Sequence, residues 1–225
     1  MSRETDDGPL TVALPKGRIL RSLAPLLQRA GIDPAPLLVD DRTLIREVPA
    51  AGLRFLLLKP DDVPTYVEYG AADLGVCGRD VLVERPCDLY LPLDLEIGRC
   101  RMVVAGAKGR ASPRDLPRVA TKYPRTAAQH FARRGVQAEI VYVQGSVELA
   151  PLTGLADLIV DLVETGSTLA QNGLEEREVV AKVSSVLVAN RASYKLRQSV
   201  VRPLVDKLRS AVLAARSREA TAPAG

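Results

Sequence analysis

Short apolar runs alternate with amphipathic stretches along most of the chain. Leu10 to Leu14, Leu53 to Leu58, Asp73 to Val76, Arg101 to Ala105, Arg118 to Thr121, Glu139 to Val143 and Leu158 to Val163 read as strands. Val179 to Ala189 reads as one long apolar strand. Helical periodicity fills the gaps. It runs from Ile19 to Ala30 before Gly31, through VPTYVEYGA after Pro60 to Val63, over Arg79 to Glu84, over Thr126 to Arg134 before Gly135, through VELAPLTG, and from Ser193 to Ala215. The rhythm predicts an α/β protein with largely parallel sheets, in which ligands bind at the carboxyl ends of strands. The remainder from about Arg216, RSREATAPAG, is small and polar and is expected to be disordered.

A weak internal repeat divides the chain. GAADLGVCGRDVL (Gly70 to Leu82) echoes GLADLIVDLVETGSTL (Gly154 to Leu169), each reading as small residue, Ala-Asp-Leu, strand, loop, helix. Two similar lobes are expected, with a ligand cleft between them. Asp73 and Asp157 open the repeated strands and are expected to cap or orient local structure.

The second copy carries the most informative chemistry. LIVDLV, Leu158 to Val163, is nearly all apolar, as in a strand buried on both faces. It runs into Glu164-Thr165-Gly166-Ser167-Thr168, where a helix is expected to start. A glycine that lets the backbone approach, hydroxyl donors and the N–H groups of a helix start make a phosphate cradle. Asp161, five residues before the glycine, can accept hydrogen bonds from sugar hydroxyls. The pair suggests a sugar phosphate. Ser and Thr are also favoured N-caps for structural reasons, so spacing alone leaves an ordinary helix cap equally open.

Basic residues stand at other strand ends. Lys16-Gly17-Arg18 lies between the first strand and the first helix, where two cations and a glycine suit a phosphate or a solvated loop. Arg42, Lys59 and Arg79 occupy further loops, and Thr121-Lys122-Tyr123 ends a strand. Glu148 stands at a helix start, where the dipole alone favours an acid.

Composition narrows the classes. The chain has 225 residues, 47% hydrophobic and 26% charged, ample for a core. Net charge is +4 with a pI near 9.1, and aromatics are only 4% without clustering beside basic residues. That fits small anionic substrates and argues against a base-stacking nucleic-acid surface. No apolar run approaches a membrane span, and the polar start MSRETDDGPL has no signal-peptide core. Cys77, Cys87 and Cys100, an odd number without a CxxC, suggest reduced cytosolic thiols, so a cytoplasmic location is expected. A single histidine, His130, excludes a multi-histidine metal site and is expected to be a surface or half-buried residue.

The run from Glu148 to Leu169, ELAPLTGLADLIVDLVETGSTL, resembles the signature of the ATP phosphoribosyltransferase family, with E-L-A-P-L, G-L-A-D, D-x-V-x-T-G and T-L in register. Further stretches are similar to the family: SLAPLLQRAGI, DDVPTYVEYGAADLGVCGRDVL, RVATKYPRTA and SSVLVANRASYK. The loop also resembles, loosely, that of the classical phosphoribosyltransferases, which have two adjacent acids where this chain has Val160 and Asp161.

The resemblance implies the two-lobed fold of type II periplasmic binding proteins with the active site in the cleft between lobes. On it, lobe I is about 1–97 plus 180–225 and lobe II about 98–179. It implies transfer of a phosphoribosyl group from 5-phosphoribosyl 1-pyrophosphate to N1 of ATP, the first step of histidine biosynthesis, with Mg2+ carried mainly by the pyrophosphate. Arg18, Arg42 and Lys59 would act on phosphate and leaving-group charge. Lys16 and Gly17 would bind phosphate, and Glu148 and Asp161 the ribose. Glu164, Thr165, Gly166, Ser167 and Thr168 would cradle the 5-phosphate, and Lys122 and Tyr123 would approach the purine. The chain looks like the short form, which implies a homodimer working with a regulatory subunit similar to histidyl-tRNA synthetase. Rival readings are a nucleotide-binding regulatory paralogue or a cytosolic solute-binding module without turnover.

Overall fold

A computed structural model describes residues 8–110 and 116–221. The chain opens with β1 (Leu10–Pro15), α1 (Arg18–Arg29), β2 (Ile45–Val48), β3 (Leu53–Leu58), α2 (Val63–Glu68), β4 (Leu74–Gly78), α3 (Arg79–Glu84) and β5 (Tyr90–Asp94). A second compact unit, Arg99–Val183, holds β6 (Cys100–Ala107), β7 (Arg118–Thr121), α4 (Pro124–Arg133), β8 (Glu139–Tyr142), α5 (Leu149–Thr153), β9 (Leu158–Val163), α6 (Ser167–Gln171) and β10 (Leu174–Val183). The chain then rejoins the first unit as β11 (Ser185–Ala189), α7 (Arg191–Leu196) and α8 (Gln198–Thr221).

The first unit is a six-stranded sheet in the order β2-β3-β1-β4-β11-β5. Alternation along its strands sends Val12, Leu14, Phe55 and Val76 to one face and Ala13, Cys77, Val186 and Val188 to the other. The first face is covered by Leu20, Leu23, Leu26 and Leu27 of α1 and by Val201, Leu204, Val205, Leu208, Ala211 and Val212 of α8. Both sets recur at three- and four-residue spacing, the stripe of a helix with one buried side. Val63 and Val67 of α2 cover the other face.

The second unit is a five-stranded sheet in the order β10-β6-β9-β7-β8. Along β9, Ile159 and Val163 pack with Val103, Ala105, Ala150 and Leu169, while Leu158 and Val160 pack on the other face with Tyr123, Ala127 and Phe131. Both faces are covered, as the apolar run predicted.

The repeat has a common construction. Asp73 donates its N–H to Thr11 O at 2.8 Å and accepts the Thr11 N–H on Oδ2 at 2.8 Å. Asp157 does the same with Arg118, at 2.8 and 2.9 Å. In each unit an aspartate clamps its strand to the start of the parallel neighbour.

Four expectations need correction. The sheets are mixed: β1/β3, β1/β4, β7/β8 and β7/β9 are parallel, but β2/β3, β4/β11, β5/β11, β6/β9 and β6/β10 are antiparallel. The run from Val179 to Ala189 is two strands in different sheets, parted at Ser184, so residues 180–183 continue β10 against β6 and do not lie in lobe I. The closing helix is two, α7 and α8, with Asn190 capping the first by accepting the N–H groups of Ala192 and Ser193 at 3.0 Å each. Residues 216–221, placed in the disordered tail, extend α8 instead, since Arg, Glu and Ala are strong helix formers and no glycine or proline intervenes. The rest of that tail, 222–225, lies outside the described residues. No described helix is long and apolar enough to cross a membrane.

Candidate active site

Sheet register gathers the basic residues of the first unit. Pro15 pairs with Leu58, so Lys16 and Lys59 leave adjacent parallel strands at the same edge, and the Lys16 N–H donates to Leu58 O at 2.9 Å. Ile45 pairs with Leu56 in antiparallel sense, which brings the start of β2, and Arg42 before it, to that edge too. Gly17 lies between with φ 84° and ψ −134°, a conformation that side-chain-bearing residues avoid. Arg18 follows as the first residue of α1 and is exposed.

The Arg42 loop is shaped by a neighbour that sequence reading missed. Asp41 accepts the Thr43 N–H at 2.7 Å and is gripped by both terminal nitrogens of Arg46. These bonds hold the Asp41 carboxyl down at about 2. Arg79, at the carboxyl end of β4, is ion-paired with Asp94 at 3.0 Å. Burial pushes the Asp94 carboxyl up, but the Glu96 N–H, the Ser184 hydroxyl and Arg79 outweigh it and keep it below the usual range.

The second unit gathers its polar residues in the same way. Thr121 pairs with Val160 in β9 and Tyr142 in β8, so the chain after each strand emerges at one edge of the sheet. That edge carries Lys122 and Tyr123 after β7, Glu148 at the N-cap of α5, and Glu164 to Thr168 after β9. Thr121 is fully buried and locks β7 to β9, donating from Oγ1 to Val160 O at 2.7 Å and accepting the Tyr123 N–H at 2.9 Å. Lys122 Nζ lies 4.8 Å from the centre of the Tyr123 ring. Asp161 points to the face shared by Ile159 and Val163, the face that α5 covers, and its Oδ1 accepts the Leu162 N–H at 2.8 Å.

The loop itself is an ordered turn. Gly166 is left-handed at φ 84° and ψ −1°, a region glycine enters without cost. The Thr165 and Ser167 hydroxyls are 3.0 Å apart, and Thr165 Oγ1 receives the Ser167 N–H at 3.4 Å. The helix that follows has only five residues, so orientation of the loop's own N–H and O–H groups counts for more than a helix dipole. Beside it stands Arg101, which sequence reading placed only at a strand start. It donates to Glu164 O at 3.2 Å and pairs with Glu176 at 2.8 Å.

His130 is half-buried as expected. Burial, with Arg134 and Arg133, holds its pKa below the ordinary value. Glu178 lies 3.5 Å from its Nε2, an approach that would favour the cation, but Arg134 already grips that carboxylate. Cys77 is buried, and desolvation pushes its thiol to about 12. Among the described residues no three His, Cys, Asp or Glu side chains gather as a metal cage.

Two α/β units that each turn a polar edge at the carboxyl ends of their strands define a binding-protein-like architecture of the Venus-flytrap kind. The periplasmic VFT2 domain of Bordetella pertussis BvgS shares this fold, with a TM-score of 0.57 at 17% identity over 91% of this chain and 92% of that one. The ATP phosphoribosyl transferase (HisG:HisZ) complex from Thermotoga maritima aligns with a TM-score of 0.78 at 36% identity, covering 91% of this chain and 99% of that chain. The family model described as ATP phosphoribosyltransferase matches residues 59–210. An ATP phosphoribosyltransferase of Sorangium cellulosum is 65% identical over 207 residues, 92% of this chain and 98% of that protein. One from Geobacillus kaustophilus is 50% identical over 203 residues, 90% and 98% respectively. The chain belongs to the ATP phosphoribosyltransferase family.

Proposed function

We propose that this enzyme transfers the phosphoribosyl group of 5-phosphoribosyl 1-pyrophosphate to N1 of ATP, releasing pyrophosphate and opening histidine biosynthesis. The observation that carries the reading is the end of β9, where Asp161 and the Glu164–Thr168 turn occupy one strand and its loop. The turn offers hydroxyl and N–H donors for the 5-phosphate. Asp161 and Glu148 offer acceptors for the ribose hydroxyls. Lys16, Gly17, Arg18, Arg42 and Lys59 take polyphosphate charge, with Arg18, Arg42 and Lys59 stabilising pyrophosphate as it leaves.

In the reaction the bond from the anomeric carbon to pyrophosphate breaks, the carbon gains oxocarbenium character, and the N1 lone pair of adenine closes the new bond. Adenine N1 carries no proton before attack, so the residues named here need to bind and orient without acting as a base. Fixing two polyanions in line is itself a large contribution, up to about 7–11 kcal/mol in favourable cases. Magnesium would travel with the pyrophosphate and add charge neutralisation there; Asp161, Glu148 and Glu164 are hard oxygen donors of the kind it accepts.

The T. maritima relative is a HisG:HisZ complex. This chain would likewise assemble with a regulatory subunit similar to histidyl-tRNA synthetase, and would itself dimerise. The test is a steady-state assay of phosphoribosyl-ATP formation with ATP, phosphoribosyl pyrophosphate and magnesium, with and without that subunit, and with pyrophosphatase to pull the equilibrium. Product that requires all three components supports the reading. No product in either format from folded protein would overturn it in favour of a nucleotide-binding paralogue.

A further inference from the structure

Arg101, the second residue of β6, lies directly opposite Val163, the last residue of β9 before the phosphate loop. Residues paired across antiparallel strands point to the same face, so Arg101 shares the face of Asp161 and Val163. Its side chain is held from behind. Nε donates to both oxygens of Glu176, at 2.9 and 3.2 Å, and Nη2 lies 2.8 Å from Glu176 Oε2. The remaining arm of the fork, Nη1, donates to Glu164 O at 3.2 Å. Nη2 also stands 3.9 Å from where a Cβ on Gly166 would lie.

We propose that Arg101 is a positioning residue for the 5-phosphate of the phosphoribosyl substrate, with Glu176 as its orienter. Arg101 fixes the Glu164–Thr165 peptide, and through it the direction of the Thr165, Gly166 and Ser167 donors. This rests on the reading that residues 164–168 receive that phosphate.

Three observations separate this role from a generic one. Glu176 cancels the guanidinium charge, so the pair acts through geometry more than through its field. The side chains of Arg101 and Glu176 are 37% and 28% exposed, and ion pairs this accessible contribute little to stability. The α6 helix has only five residues, so its start does little by itself to aim the loop. A planar fork can bridge a carboxylate and a carbonyl at once, whereas a lysine ammonium on a flexible stem does not hold that geometry.

The test uses the complete enzyme, with its regulatory subunit if activity requires it. Arg101→Ala, Arg101→Lys and Glu176→Gln are compared for KM of each substrate, kcat, inhibition by ribose 5-phosphate, and melting temperature. Arg101→Ala and Arg101→Lys are expected to raise KM for phosphoribosyl pyrophosphate and weaken ribose 5-phosphate roughly tenfold, the scale of one lost charge-assisted contact. KM for ATP and the melting temperature should stay near wild type. Arg101→Ala combined with Glu176→Gln should be no worse than Arg101→Ala, because both break one unit. A wild-type KM in Arg101→Lys, or a loss shared equally by both substrates, would overturn the proposal. Gly166→Ala and Thr165→Ala run alongside. If they raise KM for phosphoribosyl pyrophosphate and the Arg101 variants do not, this inference fails alone. If the loop variants leave that KM unchanged, the phosphate-loop reading itself fails.

Discussion

Gly166 offers a sharp test because its requirement is conformational and not steric. A Cβ built on it would meet only Arg101 Nη2 and Val163 Cγ1, each at 3.9 Å, which is ordinary contact. What forbids a side chain is the left-handed backbone, φ 84° with ψ −1°. Alanine in that region costs about 1–2 kcal/mol. For a chain of this size each kcal/mol corresponds to about 2–4 °C in melting temperature. Gly166→Ala should therefore melt a few degrees low, and to relieve the strain its loop should turn donors away from the phosphate, raising KM for phosphoribosyl pyrophosphate. Asparagine tolerates the left-handed region, so Gly166→Asn should recover most of the melting temperature. Gly17 is the control. At φ 84° and ψ −134° it lies where asparagine has no advantage, so Gly17→Ala and Gly17→Asn should be similarly destabilised, each by about 1–3 kcal/mol. Thermal melts of the four variants with parallel KM measurements decide the matter. If Gly166→Asn were as unstable as Gly166→Ala, or Gly166→Ala matched wild type in both readouts, the conformational argument would be wrong.

Other outcomes follow from single sites. Arg18→Ala should greatly lower turnover while circular dichroism and melting stay near wild type, and near-normal catalysis would remove Arg18 from its assigned role. Arg197 and Asp73 form an ion pair at 2.7 Å with side chains only 14% and 12% exposed, and Asp73 also clamps Thr11. Arg197→Ala should cost about 2–4 kcal/mol by leaving that carboxylate without its cation, read by urea unfolding, and a loss below about 0.5 kcal/mol would refute the estimate. His130 has a pKa below its ordinary 6.5, so the unfolded chain binds the extra proton first. Its contribution to stability is present above pH 6.5 and is lost as pH falls below that value. His130→Gln should flatten the stability curve there, and an unchanged slope would refute the assignment. Cys77, buried and pushed to about 12, should resist iodoacetamide at pH 8 until the protein is denatured, as mass spectrometry of labelled peptides would show.

How legible these features were depended on where each strand lies in its sheet. Interior strands such as LRFLLL and LIVDLV are covered on both faces, and their apolar runs gave their limits directly. The edge strands are β2, β5, β10 and β8; β2 and β5 were missed, and of β10 only Val179 to Val183 was read as strand. IREV, YLPLD and LEEREVVAKV carry charges, proline or both, the means by which edges avoid pairing with other chains, and these break the hydrophobic pattern. The mixed sense of the sheets was equally hidden, because β11 enters the first sheet between β4 and β5 only after the chain has built the second unit. Arg101 escaped because its partners Glu164 and Glu176 lie 63 and 75 residues away in sequence, and a lone arginine at a strand start carries no signal of that.

The repeat bears on how the proposed chemistry would be shared. Both units clamp a strand with an aspartate and turn from that strand directly into a helix, at Gly78-Arg79 in one and at Thr165-Gly166-Ser167 in the other. The two turns solve the turning problem differently. Gly78 is extended, at φ −69° and ψ 142°, and a Cβ there would press only on the movable carboxylate of Asp80, while Gly166 is required by its left-handed backbone angle. On the proposed function, the first edge would take its ligand chemistry from the side chains of Lys16, Arg18, Arg42 and Lys59. The second turn would use its hydroxyls and N–H groups for that purpose, with the Arg101 guanidinium of β6 donating to Glu164 O beside them. Under that proposal, one architecture would supply cations for a polyphosphate from one copy, and oriented donors with ribose-directed acids for a sugar phosphate from the other.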